Sequence, residues 1–409
     1  MTTDIWVLGG YQSDFARNLT KEGLGIDALT DEVVRETLDA AGIDASEVQT
    51  VHVGNAFGEL FTGQAHLGAM PATVCDALVD VPAGRHEAAC ASGGMATRAA
   101  IADLTAGFYD VALVVGVEME RTVPGQQAAE HLGAAAWVGH EGRPGSVIWA
   151  DMFDQVAGEY DRRYGVDEVH LRRIGEVNLA NAKANPNAQT RSWHVPELSG
   201  PAGGDDDVNP VVEGRLRRYD CSQITDGGAG VVLVSDAWLR DHPDARPVAR
   251  IAGWGHRTAG LPLEPKLAAS KDDPYVMPHV RDAFADALRR ADVALDDLDA
   301  LETHDCFTPS EYMAIDHIGL TAPGESWKAV ESGDIELGGR LPINPSGGLI
   351  GGGHPVGASG VRMVLDAAKQ VSGNAGDYQV EGARRVGTLN IGGSTATTVT
   401  FVLESADRG

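Results

Sequence analysis

The chain has 409 residues and carries 32 Lys and Arg against 59 Asp and Glu, a formal net charge of −27 at pH 7. So acidic a protein does not grip nucleic acid or anionic lipid by bulk attraction, and only a local basic patch is left to hold an anion. With 43% hydrophobic and 22% charged residues the composition is that of a folded chain, and the length predicts two or three core-forming units.

Short apolar runs alternate with longer alanine-rich amphipathic stretches, the pattern of an α/β protein. Ile5–Leu8, Thr50–Val53, Val111–Val117 and Val231–Val234 predict buried strands, while Ala28–Ala41 and Gly94–Ala106 predict helices. The carboxyl half repeats the scheme: a helix over Val280–Ala291, a strand end at Ala300–Thr303, a helix over Gly360–Val371, and closing strands at Gly387–Ile391 and Thr397–Leu403. The run Val111–Val117, flanked by Asp110 and Glu118, is far too short to span a bilayer. The opening MTTDIWVLGG lacks the basic and apolar regions of a secretory signal, so a cytoplasmic address is expected.

A weak internal repeat sharpens this. Cys90-Ala-Ser-Gly-Gly opens one helix and Ala358-Ser-Gly360 another; upstream, Thr50–Asn55 and Ala300–His304 each end in polar residues followed by Phe, at Phe57 and Phe307. Doubled α/β units follow, with expected boundaries 1–120 for the first part of the amino-terminal half, 121–250 for an inserted loop domain plus closing strands, and 251–409 for the carboxyl-terminal half. Residues 121–247 hold much of the arginine, the polar stretch Asn185–Asn187 and the loop Gly200–Asp207, a loop-rich texture where substrate contacts tend to sit.

Four cysteines, Cys75, Cys90, Cys221 and Cys306, form no CxxC pair or metal-ligand spacing, so free thiols and no metal are expected. Cys90 precedes an alanine-rich helix, whose N-terminus lowers a thiol pKa and supplies oxyanion donors; a small packing cysteine at a tight strand–helix junction is the alternative. His354 lies in Asn344-Pro-Ser-Gly-Gly-Leu-Ile-Gly-Gly-Gly-His-Pro-Val-Gly-Ala-Ser-Gly, where so many glycines imply close backbone approach; it is either a base or electrophile, or a turn histidine that caps a helix. In Glu302-Thr-His304-Asp-Cys306-Phe, His304 and Cys306 are two apart at a strand end and can face one cleft. The turn Asn390-Ile-Gly392-Gly-Ser is either an ordinary hairpin or a source of a backbone N–H for an oxyanion. Cys221 and Cys75 read as packing residues.

Together, the CASGG turn at Cys90, the GGGHPVGASG block at His354 and the glycine turn at Gly392 resemble the thiolase superfamily over essentially the whole chain. The HDCF stretch, His304–Phe307, resembles the branch of sterol-carrier-protein-linked thiolases and bacterial and archaeal acetyl-CoA acetyltransferases. More familiar members have NEAF there and a cysteine where this chain has Asn390; in the HDCF branch the second cysteine comes from that motif. The resemblance implies a fold of two βαβαβαββ halves in a five-layer α-β-α-β-α arrangement with an inserted loop domain. It implies Cys90 as acyl-accepting nucleophile, His354 as its base and Cys306 as the second acid/base. His304 and His354 would hydrogen-bond an enolate oxygen, and the N–H groups of Cys90 and Gly392 would hold an oxyanion. The implied substrates are CoA and acyl-CoA, with no permanently bound cofactor. Arg215, Arg217 and Arg218 are candidates for the CoA phosphates, with Arg162, Arg163, Arg172 and Arg173 as others. A homodimer or homotetramer is implied, as is a partner combining an OB fold and a zinc ribbon. Rival expectations are a decarboxylating β-ketoacyl synthase, a carbon–carbon lyase of aldolase type, and a scaffold subunit.

Overall fold

The computed structural model describes residues 4–143 and 145–406. Among the described residues eleven strands are formed: β1 (Ile5–Gln12), β2 (Thr50–Gly54), β3 (Ala83–His86), β4 (Val111–Met119), β5 (Val211–Glu213), β6 (Leu216–Arg217), β7 (Asp226–Ser235), β8 (Ala249–Thr258), β9 (Ala300–Thr303), β10 (Arg385–Gly392) and β11 (Thr397–Ser405). Nine join in the order β3-β2-β4-β7-β1-β8-β11-β10-β9, and β5 and β6 form a separate ribbon.

The sheet is two copies of one plan meeting where β1 and β8 pair antiparallel, with Ile5 opposite Ile251. Outward from that joint each half adds an antiparallel strand (β7 or β11), a second antiparallel strand (β4 or β10), then a parallel one (β2 or β9). Beyond β2 lies parallel β3; beyond β9 the same place is held by a single parallel bridge, Leu301 to Ile343. The motif matches in the sequence therefore mark equivalent strands and helices. β4 reads VALVVGVEM and is buried throughout, as a β-branched run covered on both faces must be.

Five layers result. The helix Ile26–Ala41 covers the outer face of the first half-sheet, and Pro278–Ala291 covers that of the second. Between them lie the Cys90 helix (Ser92–Ala106) and the His354 helix (Val356–Ser372), the latter touching strands of both halves. Glycine lets these two pack backbone to backbone: a Cβ on Gly93 would lie 2.8 Å from the Gly357 carbonyl oxygen, and one on Gly360 only 2.1 Å from the Gly94 nitrogen. Hence SGG and GASG recur at two helix starts, and hence the residues just ahead of each are brought together.

Several elements differ from expectation. The His354 helix starts at Val356, ahead of the predicted Gly360, because Pro355 supplies a fixed φ and the small residues of its first turn pack instead of looping. The edge strand β3 is short and mixed, and β8 alternates through Arg250, Trp254 and His256; neither gave a continuous apolar signal. The region between Met119 and Asp226 is less loop-like than its composition. It holds two long helices, Ile148–Tyr164 and Glu168–Asn181; in the first, Met152, Phe153, Val156 and Tyr160 form a buried stripe beneath a charged face. Among the described residues, no helix is long and apolar enough to cross a membrane.

Candidate active site

Cys90 sits in a tight turn ahead of its helix. Ala89 takes φ 51°, a left-handed conformation that costs a residue with a Cβ roughly 1–2 kcal/mol. Ser92 holds the strained turn, donating from Oγ to the Ala89 carbonyl at 2.6 Å and accepting from the Ala88 N–H at 2.9 Å. The thiol remains half-buried, while His304, His354 and Cys306 are buried. Around it packs an apolar group that includes Phe57, Phe61, Val356, Leu132 and Ala135.

His354 follows Gly353 at φ 107° and is fixed by two contacts. Its N–H donates to Thr225 Oγ1 at 2.9 Å, and its Nδ1 lies 2.7 Å from Ser359 Oγ. Because the Ser359 hydroxyl donates to the Pro355 carbonyl at 2.9 Å, it accepts from Nδ1–H. The bare nitrogen is then Nε2, which is buried without a hydrogen-bond partner. His304 meets His354 edge to face, ring centroids 5.3 Å apart, and its Nδ1 lies 3.4 Å from Asn390 Nδ2. One donor atom each from Cys90, His304 and His354 lie within 4.8 Å of one another. Three such donors are near enough to share a soft metal ion, and near enough for proton transfer between thiol and imidazole.

The trio is held uncharged. Burial, with the Arg362 guanidinium nearby, brings His354 down to about 3; burial and then His354 keep His304 well below its usual range. Cys90 is pushed up to about 12, first by burial and then by Glu120. This corrects the expectation that a helix N-terminus would lower its pKa: the N–H groups of Gly393 and Cys90 do favour the thiolate, but burial outweighs them. Cys306, 6% exposed, is raised well above the usual thiol range by burial, then by Cys90 and Asp305.

Other parts of the motifs build the support. The Asp305 carboxylate accepts from the Leu349 and Ile350 N–H groups and from Asn178 Nδ2. It occupies the space a side chain on Gly348 would need, for a Cβ there would lie 2.4 Å from Asp305 Oδ2. Glu311 accepts from Asn178 and Asn344, and buried Arg362 binds Glu302, Ser346 and Asp366. On the other side Glu120 accepts from the Val356 N–H and Glu118 from the Gly357 N–H, capping the His354 helix; Glu118 also takes the Ala56 and Phe57 N–H groups. Sequence reasoning missed Ser359, Thr225, Asn178, Arg362, Glu118 and Glu120. Only Ser359, inside the glycine block, had a visible signal.

Gly392 ends β10 pressed on the nucleophile turn, where a Cβ would lie 2.1 Å from the Ala88 carbonyl oxygen. The N–H of this turn that favours the Cys90 thiolate belongs to the next residue, Gly393. Asn390 donates from Nδ2 to the Cys90 carbonyl at 3.0 Å, so the residue in place of a cysteine stitches β10 to the nucleophile.

The arginines divide sharply. Arg215 lies 3.3 Å from Asp161 and 3.4 Å from Asp154, and Arg217 is 2.7 Å from Asp206. Arg162 and Arg163 pair with Glu159, Arg172 with Glu168, and Arg173 with Glu176 and Glu336. Arg218 is exposed, lies over the Trp193 and Tyr219 rings at 6.0 and 5.5 Å, and has no acidic partner among the described residues.

Comparison with known proteins gives two family matches, "Thiolase, N-terminal domain" over residues 6–190 and "Thiolase C-terminal domain-like" over residues 264–405. An acetyl-CoA acetyltransferase of Methanothermobacter thermautotrophicus is 29% identical over 98% of this chain and 99% of that protein. Sterol carrier protein 2 of Homo sapiens is 25% identical over 97% of this chain and 71% of that protein. Among solved structures, an Ltp2-ChsH2(DUF35) aldolase matches with a TM-score of 0.76 and 21% identity, covering 99% of this chain and 98% of that one. Human mitochondrial 3-ketoacyl-CoA thiolase in complex with CoA matches at 0.68 with 17% identity and the same coverage. These structural likenesses establish the shared fold.

Proposed function

From the premise that this chain belongs to the thiolase superfamily, we propose that it is a CoA-dependent acyltransferase of the acetyl-CoA C-acyltransferase type, cleaving 3-oxoacyl-CoA or running the reverse Claisen condensation through an acyl group on Cys90. The observation that carries this reading is the trio of Cys90, His304 and His354 donor atoms within 4.8 Å, with His354 Nε2 bare and unpartnered. A neutral imidazole whose other nitrogen is tied to Ser359 accepts the thiol proton at Nε2 as the sulfur attacks the 3-oxo carbon. With the thiol near 12 and the imidazole near 3, a resting ion pair is unfavourable, so the proton moves only as the bond to carbon forms.

The C2–C3 bond then breaks. The acyl group stays on sulfur and its electron pair leaves as the enolate of acetyl-CoA, whose oxygen the two histidines hydrogen-bond. Cys306 gives its proton to C2, then takes one from incoming CoA, whose thiolate removes the acyl group from Cys90 as His354 returns its proton to the leaving sulfur. Two thiols serve because the acyl group and the carbon-bound proton are transferred at different atoms. The oxyanion is held by backbone N–H groups of the Cys90 turn and the Gly392–Gly393 turn. The apolar surround of Phe57, Phe61 and Leu132 suits an acyl chain, and Arg218, with no acidic partner among the described residues, is the one of the candidate arginines left to meet a CoA phosphate.

Retention of Cys90 as a half-buried thiol favours this reading over a lyase that has no acyl-enzyme. No permanently bound cofactor is required by these steps. A homodimer or homotetramer, and an OB-fold zinc-ribbon partner, belong to the proposal; for the latter, the support is a two-component assembly among the solved neighbours. Cytoplasmic placement is supported by four free thiols, which suit a reducing compartment. The test is intact-protein mass spectrometry after mixing with acetoacetyl-CoA. A single acyl adduct is expected on the wild type and none on Cys90→Ala with its unfolding temperature unchanged; full thiolytic rate in that variant would overturn the reading.

A further inference from the structure

Between β10 and β11 the chain passes through a turn of unusual strain. Gly393 has φ 60° and Thr395 φ 64°, and a β-branched residue in the left-handed region is a conformational outlier that only its surroundings can maintain. The turn is pressed on the nucleophile turn: a Cβ on Gly392 would lie 2.1 Å from the Ala88 carbonyl oxygen, and the neighbouring Gly393 N–H favours the Cys90 thiolate.

Two basic side chains grip the turn from behind. His279, on the helix Pro278–Ala291, lies with Nε2 2.9 Å from the Thr395 carbonyl oxygen and 3.0 Å from its Oγ1. Lys266, on the short helix Leu263–Ala269, donates from Nζ to Ser394 Oγ at 2.9 Å and to the Leu261 carbonyl at 3.1 Å. Lys266 is 9% exposed and has no carboxylate within ion-pair distance among the described residues. A buried ammonium with no carboxylate beside it is costly, and such a charge persists where it serves something. The charged or titratable groups that act on it are Glu141, which favours its protonated form, and His279, which burial keeps neutral and which feels the lysine's charge; burial itself is the main influence and lowers Lys266 to about 8. Glu141 in turn accepts from the Leu263 N–H that begins the lysine's helix and from the Trp137 N–H, tying the lysine to a loop of the inserted region.

We propose that Lys266 is a positioning residue for acyl transfer: through Ser394 it holds the strained turn against the Cys90 turn, keeping the Gly393 N–H directed to the sulfur as it ionises, and its unpaired charge is answered when negative charge develops there. The inference rests on reading this turn as one wall of the acyl-transfer site. Nothing in the sequence motifs pointed to Lys266, which lies far from each of them.

The test uses the full chain with Lys266→Met, Ser394→Ala and the double variant, each checked by thermal unfolding. Single-turnover acylation of Cys90 by acetoacetyl-CoA should fall roughly 10- to 100-fold in Lys266→Met, part of the loss expected when an oxyanion donor is removed, with KM little changed. Ser394→Ala should fall in the same direction while keeping the lysine, and the double variant should be no slower than Lys266→Met. The gap between wild type and Lys266→Met should narrow as pH rises through about 8, because the wild type then loses the charge the variant never had. Independent multiplying effects of the two substitutions, or a gap constant from pH 7 to about 9.5, would overturn the proposal. A readout that needs no thiolase activity is the rate of Cys90 alkylation by iodoacetamide at fixed pH. It should be several-fold slower in Lys266→Met, as the thiolate loses its Gly393 donor, and equal rates would sink the inference even if acyl transfer at Cys90 were absent altogether.

Discussion

Ser359→Ala isolates the part of the site that decides which nitrogen of His354 is basic. In the wild type the hydroxyl donates to the Pro355 carbonyl and accepts from Nδ1–H at 2.7 Å, leaving Nε2 bare and without a partner. Ser359 is fully buried, so no water replaces its oxygen without rearrangement. The variant imidazole has two choices. It keeps the proton on Nδ1 unpaired in an apolar pocket, or it moves the proton to Nε2, where it no longer accepts one from Cys90. Leaving a buried donor unpaired costs about 1–3 kcal/mol, which at 1.36 kcal/mol per decade corresponds to about 5- to 150-fold in rate. Single-turnover acylation with acetoacetyl-CoA, followed by quenched flow, should fall within that range while KM for the substrate changes little. Ser359→Ala acylating within about twofold of wild type, with the same unfolding temperature, would refute the assignment of Nε2 as base.

Three further substitutions separate the remaining roles. Cys306→Ala should still accept an acyl group at Cys90, slowly, but should fail to exchange deuterium into C2 of acetyl-CoA; proton NMR of the methyl signal in deuterium oxide reads this, and unchanged exchange would refute the role of Cys306. Arg218→Glu should raise KM for CoA with a loss that shrinks at high salt, while Arg217→Gln, whose side chain is already bound to Asp206, should have little effect. Equal losses in both variants would show that the CoA phosphates lie elsewhere.

The sequence made the skeleton of the site legible because its requirements are local. A cysteine ahead of Ser-Gly-Gly and a histidine ahead of Pro-Val-Gly-Ala-Ser-Gly each mark a turn entering a helix that must pack closely on another, and glycine is what that packing demands. The duplication was visible for the same reason: β2 and β9 carry corresponding residues into corresponding turns. The supports were not visible. Arg362, Glu302 and Asp366 are charged residues that read as surface and yet are buried, paired with one another. Asn178 lies on a helix of the inserted region and reaches Asp305 and Glu311 across more than a hundred residues of chain. The surroundings of the candidate CoA arginines were hidden for a related reason: a cluster of basic residues in sequence says nothing about which acid each has found, and Asp154, Asp161 and Asp206 pair with two of the three.

That pairing also bears on the charge of the whole chain. With 59 acidic residues, most exposed arginines are met by a carboxylate, so a cation with no such partner carries more information than a basic cluster. Two such cations are Arg218 and Lys266. Arg218 stands at the surface over two aromatic rings, placed for an anion that arrives from solvent. Lys266 stands behind the Gly393 turn, placed for an anion that exists only while the thiol ionises or a tetrahedral oxyanion forms. Neither cation has a carboxylate within ion-pair distance among the described residues, Glu141 acting on Lys266 only from further off, and the thiol and both histidines are themselves neutral. An enzyme so arranged does little to stabilise an idle thiolate and reserves its positive potential for the moment substrate generates charge, which is where stabilisation accelerates the chemical step.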